Sequence, residues 1–325
     1  MKKVVFVSHQ MGTQGSYLNH LDLQQYLKDH EGYSIKFYCE NVKKLYEIIK
    51  DTRRDYTIGA GEVKILKKEI IEPEVVITDF KTLMMAEKLG MWVICKKLLI
   101  MDSIELTYHL KDMKRARFYY NVDLYQALKQ FYTEDTIFLM PQNNYDIFTE
   151  KYPDLNAKVF YKTINVDMLN TIEFENREGY FFRWDDLKDY EDLVKSKFGS
   201  GGFNYEPDWK LKMGRKIPVK YNEISHIFDY KSLVYRRRKY LEYQEQLGRL
   251  IFEYILLGKT VHFLDEPYTD DGLTDYLNHY DIKFDGGTII TTKEELIRKM
   301  ITYTDKPWET FDTKTPPYLG QKGLL

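Results

Sequence analysis

Val4 to Ser8 is an unbroken apolar run, VVFVS, and a loop containing two glycines follows it directly. A run without polar alternation buries both of its faces, as a strand inside a parallel sheet does. The loop, His9-Gln10-Met11-Gly12-Thr13-Gln14-Gly15-Ser16, leads into a helical pattern at Leu18, Leu21, Leu23, Tyr26 and Leu27. Tyr33 to Tyr38 reads as the next strand. Strand, glycine loop, helix and strand open an α/β nucleotide-binding domain. Gly12 and Gly15 let the backbone turn tightly or approach a ligand, and they suit a plain strand-to-helix turn equally well. Their spacing matches neither GxGxxG nor the GxxxxGK phosphate loop, so a nicotinamide fingerprint and a kinase-type phosphate loop are both rejected.

The pattern repeats downstream. Val75 to Ile77 precedes Asp79, and Lys81 to Leu89 reads as a helix. Trp92 to Cys95 and Leu98 to Met101 are short apolar runs, the second ending at Asp102. Open α/β sheets place ligands just past their strand ends, which singles out Asp102 and Glu105. Asp102 would serve equally as a helix cap. Ile137 to Met140 and Val159 to Tyr161 complete the strand candidates of this half, and Asn165 to Asn170 would carry the chain toward a linker. Together they predict a parallel sheet covered on both sides.

A chain of 325 residues is about twice the usual domain size, which predicts two domains. Hydrophobic residues make up 43% and charged residues 30%, an ordinary composition for a soluble fold. Lys plus Arg is 48 against 50 for Asp plus Glu, so no global basic field draws the chain to nucleic acid. Cys39 and Cys95 are the only cysteines, too few for a thiolate zinc cluster and suited to a reducing cytosol. The first residues lack the pattern of a signal peptide, and no apolar run is long enough to span a membrane. A cytoplasmic protein is expected.

A polar segment at Asn170 to Glu178 marks the boundary to the second half. Gly179 to Trp184 is a short strand signal, and Asp185 opens a helix. Tyr221 to Tyr230 is ambiguous. The clearest stretch is Glu245-Gln246-Leu247-Gly248-Arg249-Leu250-Ile251-Phe252-Glu253-Tyr254-Ile255-Leu256-Leu257-Gly258. Its helix has almost no polar face and must be buried. Gly248 marks the loop-to-helix transition, Gly258 the stop, and Thr260 to Leu264 a strand. A lone carboxylate is costly to bury, so Glu253 needs a hydrogen-bond donor or a role. Glu245 in the loop and Glu253 in the first turns would flank one polyhydroxylated ligand, near a helix N-terminus that favours phosphate.

The spacing of Glu245, Gly248, Glu253 and Gly258 before a hydrophobic strand resembles the donor-site motif of retaining glycosyltransferases with the GT-B fold. Arg183 with Lys188 five residues later resembles that family's diphosphate-binding pair, although Phe182 replaces the usual glycine. The resemblance implies two Rossmann-like domains facing each other across a cleft. Residues 1–170 would form the acceptor-side domain and 171–300 the nucleotide-sugar donor domain. Residues 301–325 would form a terminal segment crossing back, with Ile301 to Trp308 as the crossing stretch. It implies donor contacts from Gly15, Arg183, Lys188, Arg237, Gly248, Arg249 and Glu253. Glu253 would hold the ribose hydroxyls, and Arg183 and Lys188 would neutralise the leaving diphosphate. Asp102, Arg183 and Glu245 are the implied catalytic residues, and His9, Glu105 and Trp184 the implied acceptor contacts. No catalytic metal and no cofactor beyond the nucleotide diphosphosugar, a UDP-sugar by preference, are implied.

The layout also resembles phage enzymes that glycosylate hydroxymethylated cytosine in DNA, through Phe182-Arg183-Trp184 before a helix and a strand ending at Asp102. DNA as acceptor predicts a local positive cleft, with Lys96-Lys97, Lys111 to Arg115 and Arg236 to Lys239 as its walls. Cell-envelope polysaccharide, lipid-linked sugar and small molecules are the alternative acceptors, and a noncatalytic nucleotide-sugar binding protein is the alternative class.

Overall fold

The computed structural model describes residues 3–8, 15–39, 41–43, 45–46, 54–58, 62–65, 70–71, 74–90, 92–112, 123–182, 228–235, 248–263, 272–300 and 306–309. Within them the chain is mixed α/β and carries two sheets.

The first sheet is parallel throughout. β1 (Lys3–Ser8) pairs with β2 (Ser34–Cys39) on one side and with β5 (Val75–Asp79) on the other. β3 (Val63–Ile65) extends the sheet beyond β2, and β4 (Ile70–Ile71) pairs with β6. β6 (Trp92–Met101), β7 (Phe131–Met140) and β8 (Ala157–Val159) follow beyond β5. The order β3-β2-β1-β5-β6-β7-β8 reverses direction between β1 and β5, the doubly wound pattern of a Rossmann-like sheet. The unbroken apolar run of β1 has its physical explanation here. Val4 and Phe6 enter one core layer with α1 (Gly15–His30), while Val5 and Val7 enter the opposite layer. That second layer holds buried residues of α2 (Phe80–Leu89), α3 (Ile104–Leu110), α4 (Leu124–Leu128) and α5 (Gln142–Lys151).

Two expectations change in this half. The apolar runs at Trp92 and Leu98 are a single strand, with Lys96 and Lys97 inside it. Lys97 is fully buried, and its Nζ donates to the Trp308 carbonyl at 3.1 Å. It is therefore no part of a basic cleft wall, since the burial of an ammonium demands such a partner. Trp308 itself is buried in the core layer of α1, so residues 306–309 lie against the first sheet. Asn165 to Asn170 is not a bare linker. Asn165 caps α6 (Val166–Asn170) by accepting from the Met168 N–H. Leu169 of this helix already belongs to the second core.

The second sheet runs β12-β13-β11-β10-β9. β9 (Arg177–Phe182), β10 (Tyr230–Tyr235) and β11 (Thr260–Phe263) are parallel. β12 (Phe284–Asp285) and β13 (Thr288–Ile289) form an antiparallel hairpin. Gly286 and Gly287 turn it with φ of +53° and +84°. β10, enclosed between β9 and β11, escapes the sequence reading because Lys231 and Ser232 interrupt its apolar run. α7 (Arg249–Leu256) is buried on nearly every side, as its composition predicts. It closes with Gly258 at φ +71°, whose N–H reaches Ile255 O at 2.9 Å while Lys259 N–H reaches Tyr254 O at 2.9 Å. That paired closure absorbs carbonyls that would otherwise be orphaned. α8 (Gly272–His279) and α9 (Lys293–Met300) complete this half. α9 starts with Thr292 and Glu295 capping each other's backbone N–H. Among the described residues no helix is long and apolar enough to cross a membrane.

Candidate active site

Parallel strands end together, so the carboxyl edge of the first sheet gathers whatever polar residues follow them. At the β1/β5 reversal, Ser8 Oγ donates to Asp79 Oδ2 at 3.3 Å. Asp79 also caps α2, accepting from Thr82 N at 2.7 Å and from Thr82 Oγ1 at 2.9 Å. His20 of α1 stands beside it, with Nε2 3.8 Å from Asp79 Oδ2 and its ring edge-on to Phe6. His20 is buried, and its Nδ1 finds no hydrogen-bond partner among the described residues. Burial lowers its pKa to about 4 against the pull of Asp79, with Lys162 pushing further down, so the imidazole is neutral at pH 7.

Asp102 leaves the end of β6, its N–H bonded to Leu139 O at 2.8 Å. It is not a helix cap, because Ser103 occupies that position at the start of α3. The carboxylate is buried instead beside Lys162, whose Nζ lies 2.6 Å from Oδ1 and also donates to the Asp102 carbonyl at 2.7 Å. Beyond this ion pair, neither carboxylate oxygen finds a hydrogen-bond partner among the described residues. Burial raises the Asp102 pKa, and the Lys162 charge opposes that rise. Ser103 Oγ and Glu105 Oε2 are likewise buried without hydrogen-bond partners among the described residues, while Glu105 Oε1 lies 3.4 Å from Lys81 Nζ. The end of β6 thus presents several polar groups with unused hydrogen-bonding capacity.

The second constellation is built on the start of α7. Gly248 takes φ +57°, a left-handed conformation, and an added Cβ would meet Leu273 Cδ1 at 2.5 Å. Only glycine fits this turn without strain. It sets Arg249 and Glu253 one turn apart, where Arg249 Nε donates to Glu253 Oε1 at 2.7 Å. The other Arg249 nitrogens reach α1, donating to Asn19 Oδ1 at 2.6 Å and to Asp22 Oδ2 at 2.5 Å. Arg54 Nη2 donates to the same Glu253 oxygen at 2.5 Å. Tyr56 OH donates to Asp22 Oδ1 at 2.5 Å and Asn165 N to Oδ2 at 3.1 Å. Burial pushes the Arg249 pKa down, but the Asp22 and Glu253 carboxylates outweigh it and hold the guanidinium well above its usual value. Burial and the neighbouring Asp22 keep the Tyr56 hydroxyl protonated.

The cost of burying Glu253, posed by the sequence, is met by Arg249 and Arg54. Its Oε1 is committed to them, and Oε2 accepts no hydrogen bond among the described residues. Arg249 spends all three guanidinium nitrogens on protein partners. Gly15 is the first residue of α1. His9, Arg183, Trp184, Lys188, Arg237 and Glu245 lie outside the described residues, as do Lys114, Arg115 and the rest of the Arg236 to Lys239 stretch. β9 ends at Phe182 and β10 at Tyr235, immediately before Arg183 and Arg236 in the sequence. These strands are neighbours, with Phe182 paired to Val234.

His20, Asp79, Lys162, Asn19, Asp22 and Arg54 were not singled out by sequence. One signal was available. Leu18, Leu21, Leu23 and Leu27 fall on opposite sides of a helix, so α1 has no free polar face. Its intervening Asn19, His20, Asp22, Gln24 and Gln25 must therefore be buried, and all five are. No family model matches the chain, and no curated protein matches it either.

Proposed function

We propose that the chain is a retaining glycosyltransferase that moves a sugar from a nucleotide diphosphosugar, by preference a UDP-sugar, to a hydroxyl acceptor. The observation carrying this reading is the α7 entrance. Gly248 sets the turn, Glu253 is held rigidly by two arginines, and its second oxygen keeps acceptor capacity for ribose hydroxyls. The contacts of Arg249 with α1 and of Arg54 with Glu253 join this entrance to the first sheet's half. That junction supports two Rossmann-like units facing across a cleft, with the donor held on the α7 side and the acceptor on the Asp102 side.

In this reading Arg183 and Lys188 stabilise charge on the departing diphosphate, and Arg237 adds to them. The adjacency of β9 and β10 supports this, because both basic stretches follow neighbouring strand ends. Glu245 orients the sugar. The acceptor hydroxyl attacks the anomeric carbon on the face the diphosphate leaves. The carbon–phosphate-oxygen bond breaks as the new glycosidic bond forms, and the departing phosphate takes the hydroxyl proton. Asp102 accepts the hydrogen bond of the incoming hydroxyl, with His9, Glu105 and Trp184 around the acceptor. The acceptor in this reading is 5-hydroxymethylcytosine in DNA. Its basic contacts fall to Lys96, Lys111 to Arg115 and the Arg236 to Lys239 stretch, and exclude the buried Lys97.

Donor binding tests the reading. Calorimetric titration with a panel of nucleotide diphosphosugars is expected to show one that binds, and Glu253→Gln should weaken it about tenfold or more. Circular dichroism checks that the variant is folded. Unchanged affinity in a folded Glu253→Gln protein removes Glu253 from the donor site.

A further inference from the structure

A buried carboxylate that is to accept a hydroxyl's hydrogen bond at neutral pH needs a counter-charge, or it takes up a proton instead. For Asp102 that counter-charge comes from a distant part of the chain, on the connector between β8 and α6. Lys162 is itself buried, and its Nζ touches both the side chain and the carbonyl of Asp102. The Lys162 backbone is gripped from the other sheet's half. Its N–H donates to Tyr276 OH at 3.1 Å, and its carbonyl accepts from Tyr280 OH at 3.2 Å. Both tyrosines are buried, and their i,i+4 spacing puts them on one side of α8 and the turn that ends it.

We propose that Lys162 is a positioning residue for Asp102: its ammonium holds the carboxylate charged and in place, and α8 holds Lys162 through Tyr276 and Tyr280. The consequence is a link between the two halves of the chain. A displacement of α8 moves the ammonium and so changes the basicity of the group assigned to the acceptor hydroxyl. Other groups set the background. Asp275 of α8 pushes the Asp102 pKa up, and Tyr276 faces the same carboxylate. His20 on α1 is neutral at pH 7, and Asp79 is occupied by Ser8 and Thr82. Among the described residues Lys162 is thus the cation that sets the balance at Asp102. The role in transfer rests on the glycosyltransferase reading, whereas the control of ionisation does not.

The test reads ionisation directly, without substrate. Protein labelled with 13C at the aspartate γ-carbon is titrated by NMR, and Asp102→Asn assigns the resonance. Lys162→Met is expected to raise the Asp102 midpoint by about 1 to 3 units, and Lys162→Arg to retain it. Tyr276→Phe removes only the hydroxyl and should move the midpoint in the same direction by less. An unmoved midpoint in Lys162→Met overturns the proposal. Should that variant not fold, an unmoved midpoint in Tyr276→Phe combined with Tyr280→Phe overturns it instead. In transfer assays the acid limb of turnover should follow the midpoint to higher pH in Lys162→Met. A moved midpoint with a stationary acid limb overturns the role of Lys162 in transfer. A moved midpoint in a protein that transfers no sugar upholds the control of ionisation and refutes the glycosyltransferase reading alone.

Discussion

Asp22 joins three separate segments, accepting from Tyr56, Asn165 and Arg249 while buried on a helix with no polar face. With Glu253, Arg54 and Arg249 it makes a buried cluster of two anions and two cations. Such a cluster is tolerated because every charge has an opposite neighbour, and removing one partner strands another. Asp22→Asn preserves shape and hydrogen-bonding atoms but leaves the cluster with an excess positive charge. It is expected to cost about 3 kcal/mol or more of folding stability, measured by urea denaturation. A loss below about 1 kcal/mol would show that the cluster is not held by charge balance.

At the scale of elements, the start of α7 is set by backbone geometry. Gly248→Ala must place a Cβ at φ +57° and into Leu273, which is fully buried. The left-handed conformation costs roughly 1–2 kcal/mol and overpacking a similar amount, so a loss of about 2 kcal/mol or more is expected in the same measurement. An unchanged midpoint would mean that the turn can relax. The elements also show what a sequence makes legible. β1, α1, β2, β5, α2 and α7 announce themselves by apolar runs, periodicity and glycine stops. β10 does not, because its strand character comes from being enclosed between β9 and β11 rather than from its own pattern. β6 divides in two on reading because Lys97 is charged, and only the distant Trp308 carbonyl explains its burial. Strand-end position and motif spacing single out Asp102 and Glu253, and the structure places each of them buried beside a cation. Lys162 and Arg54 are not singled out, since their significance depends on contacts far along the chain, with Asp102 and Glu253 respectively.

At the scale of the whole molecule, the two sheets are joined by directional polar contacts as well as packing. Arg249 reaches α1, Arg54 reaches α7, and α8 grips the connector that carries Lys162. Trp308 near the chain's end is buried against the first sheet. This construction suits a reaction whose donor and acceptor are held by different halves, because it relates the Glu253 and Asp102 regions through named bonds. The measurement that tests the central claim most directly is a transfer assay read by mass spectrometry. The protein is mixed with a panel of nucleotide diphosphosugars and duplex DNA containing cytosine or 5-hydroxymethylcytosine, and the DNA is then digested to nucleosides. The account predicts one sugar mass added to the hydroxymethylated nucleoside alone. No added mass, together with no binding or hydrolysis of any nucleotide sugar, would contradict it.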